Sequence, residues 1–168
     1  DVINPGSAME LDEATIALIK EVVKEKKIHT LWFEAHYMYR KKLASFAEQF
    51  APAKVKFRCG VETFDTALRE AWKKGIPSSV SVQDIAQHFQ GICLLCCTQG
   101  ETKEHILKDI ELAKAHFEYF SVNVFCDNHT PIKQDKELAS WFAKVVYPMI
   151  KDDPRIEVLM ENTDLGVG

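Results

Sequence analysis

The sequence has no long apolar run. Its longest, such as residues 92–97, are only a few residues, well short of the roughly 20 that span a bilayer. No transmembrane helix or signal peptide is visible, and a cytoplasmic protein is expected. There is no excess of basic charge either. Lys and Arg number 21 against 25 Asp and Glu, which gives a net charge of -4 and a pI near 5.9. The basic residues are scattered rather than striped, so neither nucleic acid nor an anionic membrane is expected as a partner. With no secretory signal, the 5 cysteines read as reduced thiols rather than a disulfide framework.

What is present is enough apolar matter for one compact domain over residues 1–168, at 46% hydrophobic, and disorder is not expected. The first residue is Asp1, and the chain runs at once into Asn4-Pro5-Gly6-Ser7. This reads as a loop entered midway, consistent with a segment cut from something longer or with a removed leading tag.

Two periodicities alternate along the chain. Residues 11–26 place Ile16, Leu18, Ile19, Val22 and Val23 at helical spacing, with Asp12 and Glu13 suited to a helix N-terminus. Residues 28–34 are aromatic and β-branched, a strand, and a helix over about 38–50 follows and is closed by Pro52. The pattern repeats as strand 55–61, helix 65–74 stopped by Gly75-Ile76-Pro77, short helix 82–89, strand 91–97, helix 102–117, strand 119–126, helix 135–150 and strand 156–160. Strands alternating with helices imply right-handed crossovers and a parallel sheet, hence an α/β fold. Roughly five strands do not close a barrel that typically takes eight strands and about 250 residues. The expectation is a partial TIM-like barrel with helices on its outer face.

The strands are two-faced. Leu31, Phe33 and Ala35 alternate with Trp32, Glu34 and His36, and Val55, Phe57 and Cys59 with Lys56, Arg58 and Gly60. Phe120, Val122 and Val124 alternate with Ser121 and Asn123, and Ile156 and Val158 with Arg155 and Glu157. Helices on the apolar side would leave Glu34, Arg58 and Asn123 in a shared concavity near strand ends, where α/β folds build sites. Solvated sheet carrying cross-strand salt bridges would give the same pattern.

Two stretches resemble a known family. Phe57-Arg58-Cys59-Gly60-Val61-Glu62-Thr63-Phe64-Asp65, with Leu68 and Lys74-Gly75, resembles the fourth strand and following helix of radical S-adenosylmethionine (SAM) enzymes. Leu94-Leu95-Cys96-Cys97-Thr98-Gln99-Gly100-Glu101-Thr102, running into Lys108-Asp109-Ile110-Glu111-Leu112-Ala113, resembles the fifth strand and helix of the oxygen-independent coproporphyrinogen oxidases and their relatives. Ser121-Val122-Asn123-Val124-Phe125 sits where the sixth strand is expected. The resemblance identifies the chain as the C-terminal part of an incomplete (β/α)6 barrel.

The resemblance implies SAM and a 4Fe-4S cluster as cofactors of the complete protein, with neither expected on this chain alone. A complete member cleaves SAM reductively to methionine and a 5′-deoxyadenosyl radical, which abstracts a hydrogen atom from substrate. The family's CxxxCxxC loop is absent, so the chain alone is expected to be inactive. Cys93, Cys96 and Cys97 lie on alternating faces of one strand and read as small buried hydrophobes; Cys126 and His129 offer at most the start of a metal site. By the resemblance, Gly6 and Ser7 lie in the loop that meets the amino end of SAM. Glu62 or Thr63 contacts its methionine part, and Asn123 lies near its adenine or ribose. Glu34 and Arg58 either hold SAM's amino acid end or pair with each other. His36 is a substrate-side acid or base, or a surface histidine. Trp141, Phe142 and Tyr147 read as packing, and the tail beyond Glu161 as a cover for the mouth or a disordered end.

Two other classes stay open. A cluster-free partial barrel could bind a ligand, or a second copy of itself through an open edge strand carrying Lys54 and Lys56. A barrel hydrolase could hold a divalent metal with Glu34, His36, His129 or Glu161.

Overall fold

In the computed structural model, which describes residues 1–2 and 6–161, five strands form one parallel sheet in the order β1-β2-β3-β4-β5. They are β1 Thr30–Glu34, β2 Lys54–Glu62, β3 Gly91–Cys96, β4 Tyr119–Val124 and β5 Ile156–Leu159. Sequential order is what repeated right-handed crossovers on one side of a sheet produce. A doubly wound sheet would reverse its order at a switch point. The result is an open half-barrel, as the alternation of strands and helices predicts.

Helices α1, α3, α4, α5 and α6 each begin where a short polar side chain satisfies an orphan backbone N–H. Asp12 accepts from Thr15 N (2.7 Å) at α1, Glu13–Glu25. Asp65 accepts from Leu68 N (2.9 Å) at α3, Thr66–Ala71. Ser81 and Asp84 form a reciprocal capping box at α4, Val82–Ala86. Thr102 caps α5, Lys103–His116, and Asp135 caps α6, Lys136–Trp141. The expected helix at 38–50 is split: Tyr37–Lys42 is a 3-10 turn, and α2 spans Leu43–Glu48. The expected helix at 135–150 is interrupted as well. Phe142–Val146 widens into a π-helical turn before α7, Tyr147–Ile150. Pro148 supplies no N–H to that ladder, which accounts for the irregularity.

Between sheet and helices lies an apolar core. Phe33, Ile92, Phe120 and Phe142 are fully buried, and Phe33 packs against Phe46 and Phe50 with ring centroids 5.2 Å away in each case. Cys96 and Cys97 are in that core too, so their reading as small buried hydrophobes holds. Arg69 is also inside, 2% exposed, where Nη2 donates to the carbonyls of Pro77 (3.3 Å) and Val80 (3.4 Å) and pins the loop after α3.

The strand carrying Lys54 and Lys56 is not an edge. β2 lies between β1 and β3, so the edge expected there is corrected. The sheet edges are β1 and β5, and β1 is extended by a parallel bridge from Val2 to Phe33. No helix among the described residues is long and apolar enough to cross a membrane.

Candidate functional site

Parallel register brings the polar residues of alternating strands into layers on the concave face. Trp32 is opposite Lys56, Glu34 opposite Arg58, Gly60 opposite Cys93, Cys93 opposite Ser121, and Leu95 opposite Asn123. The lower layers are internally neutralised. Arg58, 9% exposed, pairs with Asp1 and with Glu157, and its guanidinium lies 5.5 Å from the Tyr119 ring. Lys56 pairs with Glu118 and lies over Trp32. Tyr119 donates to Glu157 at 2.7 Å. Gly91 makes this floor close-packed, because a Cβ there would come within 2.8 Å of the Tyr119 carbonyl and 3.1 Å of Trp32. These groups close the base of the half-barrel and leave the strand ends above it as the site.

Above the floor, three charged groups gather around Gly60. A Cβ at that position would lie 3.2 Å from Glu34 Oε1, 3.4 Å from Glu62 Oε1 and 3.7 Å from Lys74 Nζ. Glycine therefore keeps a cradle open between two carboxylates and an ammonium. Lys74 donates to Glu62 at 2.7 Å. Burial works against the Lys74 cation, but Glu62 and then Glu34 outweigh it and raise its pKa. Glu34 is pushed above the ordinary carboxylate range by burial and by Glu62, while Arg58 and Lys74 pull it back. Glu62 itself sits at φ 67°, in the left-handed region, where the β2–β3 register shifts. Such a conformation in a non-glycine residue costs of order 1–3 kcal/mol and concentrates at functional sites.

The other expected residues fall as follows. Asn123 is on the concave face, and its Oδ1 is buried with no hydrogen-bond partner. Ser7 is buried beside the end of β1, accepting from His36 N at 3.4 Å. Gly6 packs by Glu10, while Asn4 and Pro5 lie outside the described residues. Thr63 is fully buried, its hydroxyl accepting from Asp65 N at 3.0 Å, so it does not open to the cradle. His36 uses both ring nitrogens locally. Nε2 bonds the Lys74 carbonyl at 2.6 Å and Nδ1 accepts from Met38 N at 3.2 Å, which makes it a brace for Lys74. Arg58 pairs with Asp1 and Glu157, not with Glu34. Lys74, Gly60 and Cys93 escaped the sequence reading as site residues. The only signal for Lys74 was its place in the motif ending Lys74-Gly75.

The loop after β3 carries a buried carboxyl. Glu101 accepts from Thr98 N (2.7 Å) and Thr98 Oγ1 (2.9 Å). Burial lifts it to about 7, against those hydrogen bonds. A carboxyl raised in the folded state favours folding most when protonated, fully so below its unfolded value of 4.5, and that contribution is lost as pH rises through about 7. Asp109, raised by burial, acts in the same sense. The denaturation midpoint should therefore fall between about pH 5 and about pH 8, and Glu101→Gln should flatten the fall. An unchanged slope in that variant would assign the pH dependence elsewhere.

No protein-family model and no curated protein matches the chain. A solved structure does: a queuine lyase from Clostridium spiroforme bound to SAM and queuine, at TM-score 0.88 and 36% identity, covering 97% of this chain and 70% of that one. The chain belongs to the radical SAM family. Its five-stranded half-barrel corresponds to the C-terminal portion of a radical SAM barrel.

Membership implies two cofactors, and the described residues treat them differently. SAM fits the concave face. The orphaned Asn123 Oδ1 awaits a donor, and the Gly60 cradle presents one anion–cation pair. The iron–sulfur cluster does not fit, because no group of three or more His, Cys, Asp or Glu among the described residues is placed to hold a metal. That finding also removes the ligand set on which the barrel hydrolase rested. The tail from residue 162 lies outside the described residues.

Proposed function

We propose that this chain forms the SAM- and substrate-binding part of a radical SAM lyase acting on queuine or a closely similar 7-deazapurine. The observation that carries the reading is 36% identity over 97% of the chain to a queuine lyase bound to SAM and queuine. The motifs resembling coproporphyrinogen oxidases support the same use of the strand ends for SAM. The substrate follows the queuine lyase.

In this reading the Glu62–Lys74 pair complements the zwitterionic amino acid end of SAM, with Lys74 meeting its carboxylate and Glu62 its ammonium. Asn123 Oδ1 accepts from the adenosine part, and Gly6-Ser7 lies beside the amino acid end. Bound there, SAM supplies hydrogen-atom abstraction. The chain's own residues orient it and hold the substrate above the open strand ends. The cluster is supplied by residues other than those described.

The test is anaerobic titration of the full-length, reconstituted gene product with SAM and then queuine, followed by product analysis. Saturable binding of both, with queuine consumed and 5′-deoxyadenosine formed, is expected. Failure to bind SAM would overturn the radical reading. SAM cleavage with queuine untouched would overturn the substrate.

A further inference from the structure

We propose that Glu34 is the counter-ion of the substrate's secondary ammonium, fixing the aminomethyl arm of a queuine-type base above the concave face. This rests on the function proposed above. It follows from charge pairing on that face. Arg58 is in contact with Asp1 and Glu157, Lys56 with Glu118, and Lys74 with Glu62. Among the described residues, Glu34 is the concave-face carboxylate with no cation in contact. Its hydrogen-bond donor is the Cys93 thiol, with Sγ 3.9 Å from Oε2, and a thiol is a weak donor.

Partial burial without a paired cation disfavours a carboxylate. Burial and the Glu62 charge accordingly disfavour its ionised form. Gly60 bears no side chain beside Oε1, where a Cβ would stand 3.2 Å from that oxygen, 3.4 Å from Glu62 Oε1 and 3.7 Å from Lys74 Nζ. A donor that arrives with a ligand and carries positive charge would give this carboxylate the partner that Arg58, Lys56 and Lys74 give the others.

The chemistry of the two ligands decides between them. SAM's α-ammonium comes attached to a carboxylate, and that zwitterion matches the Glu62–Lys74 pair. SAM's sulfonium carries a charge but has no N–H to donate. The secondary ammonium of queuine has two N–H donors and no attached anion, and a lone carboxylate answers it.

Glu34→Gln keeps the shape and removes the charge, and Glu34→Asp keeps the charge and withdraws it. In the full-length protein, equilibrium titration is made with SAM, with queuine, and with 7-deazaguanine, which has the base without the ammonium arm. Losing a charged hydrogen bond predicts queuine binding weaker by about 10- to 100-fold in Glu34→Gln. Glu34→Asp should fall between that variant and the wild type, while SAM and 7-deazaguanine bind as to wild type. Weakened SAM binding with queuine unaffected would assign Glu34 to the cofactor and overturn the proposal, as would no change for any ligand. Wild-type protein that binds SAM but not queuine would overturn the substrate reading, and this assignment with it. Wild-type binding of queuine with unchanged affinity in Glu34→Gln would overturn this assignment alone.

Discussion

Replacing Lys74 with methionine should weaken SAM binding by about 10- to 100-fold, the loss of one charge-assisted contact, and should also destabilise the fold. Lys74 Nζ lies 2.7 Å from Glu62 Oε1, and the side chains of the pair are only 28% and 19% exposed. Exposed pairs contribute about 0–1 kcal/mol, while breaking a buried one costs about 3–5 kcal/mol. This half-covered pair falls between, at about 1–3 kcal/mol. The variant also removes a cation that holds the Glu34 carboxyl down. Its pKa then rises further, and a raised carboxyl loses its stabilising contribution as pH increases. The stability deficit of Lys74→Met should thus be larger at about pH 8 than at about pH 5. Calorimetric titration with SAM and urea melts at both pH values check it. Wild-type SAM affinity in a folded variant would remove Lys74 from the site.

The two-faced strands were legible because side chains in a strand alternate strictly, so a polar residue at every second position marks one face whatever the tertiary fold. Glu34, Arg58 and Asn123 share the concave face for that reason. Which charges pair was not legible. Register sets Glu34 opposite Arg58, yet the guanidinium turns toward Asp1 and Glu157, both remote in sequence. Lys74 was hidden by the same limit. It follows a helix, where local pattern gives the stop signal of Gly75, and only the His36 brace and the bend at Glu62 carry its ammonium back over the sheet. The position of the strand with Lys54 and Lys56 failed for a related reason. Lysine is frequent on edges, but in a half-barrel the same residues line the base from an interior strand, where Lys56 meets Glu118 and Trp32.

Phe33→Ala should cost about 3–5 kcal/mol and leave ligand affinity per folded molecule unchanged, a contrast that tests the division of labour between the two faces of β1. Phe33 is fully buried, and its ring meets Phe46, Phe50 and Phe57 at centroid distances of 5.2, 5.2 and 6.3 Å. Truncation removes one large ring and opens a cavity among three others that are held by the sheet and by α2, so little collapse can refill it. For a domain of this size the loss corresponds to a Tm lower by about 6–20 °C. Glu34, the next residue, points the other way into the cradle, and its neutral isostere should not lower the folding stability while altering binding. If Phe33→Ala instead lost less than about 1 kcal/mol, the apolar face would not be the sealed core described here. The polar face would then lack the rigid backing on which its 3.2 Å and 3.4 Å approaches to Gly60 depend.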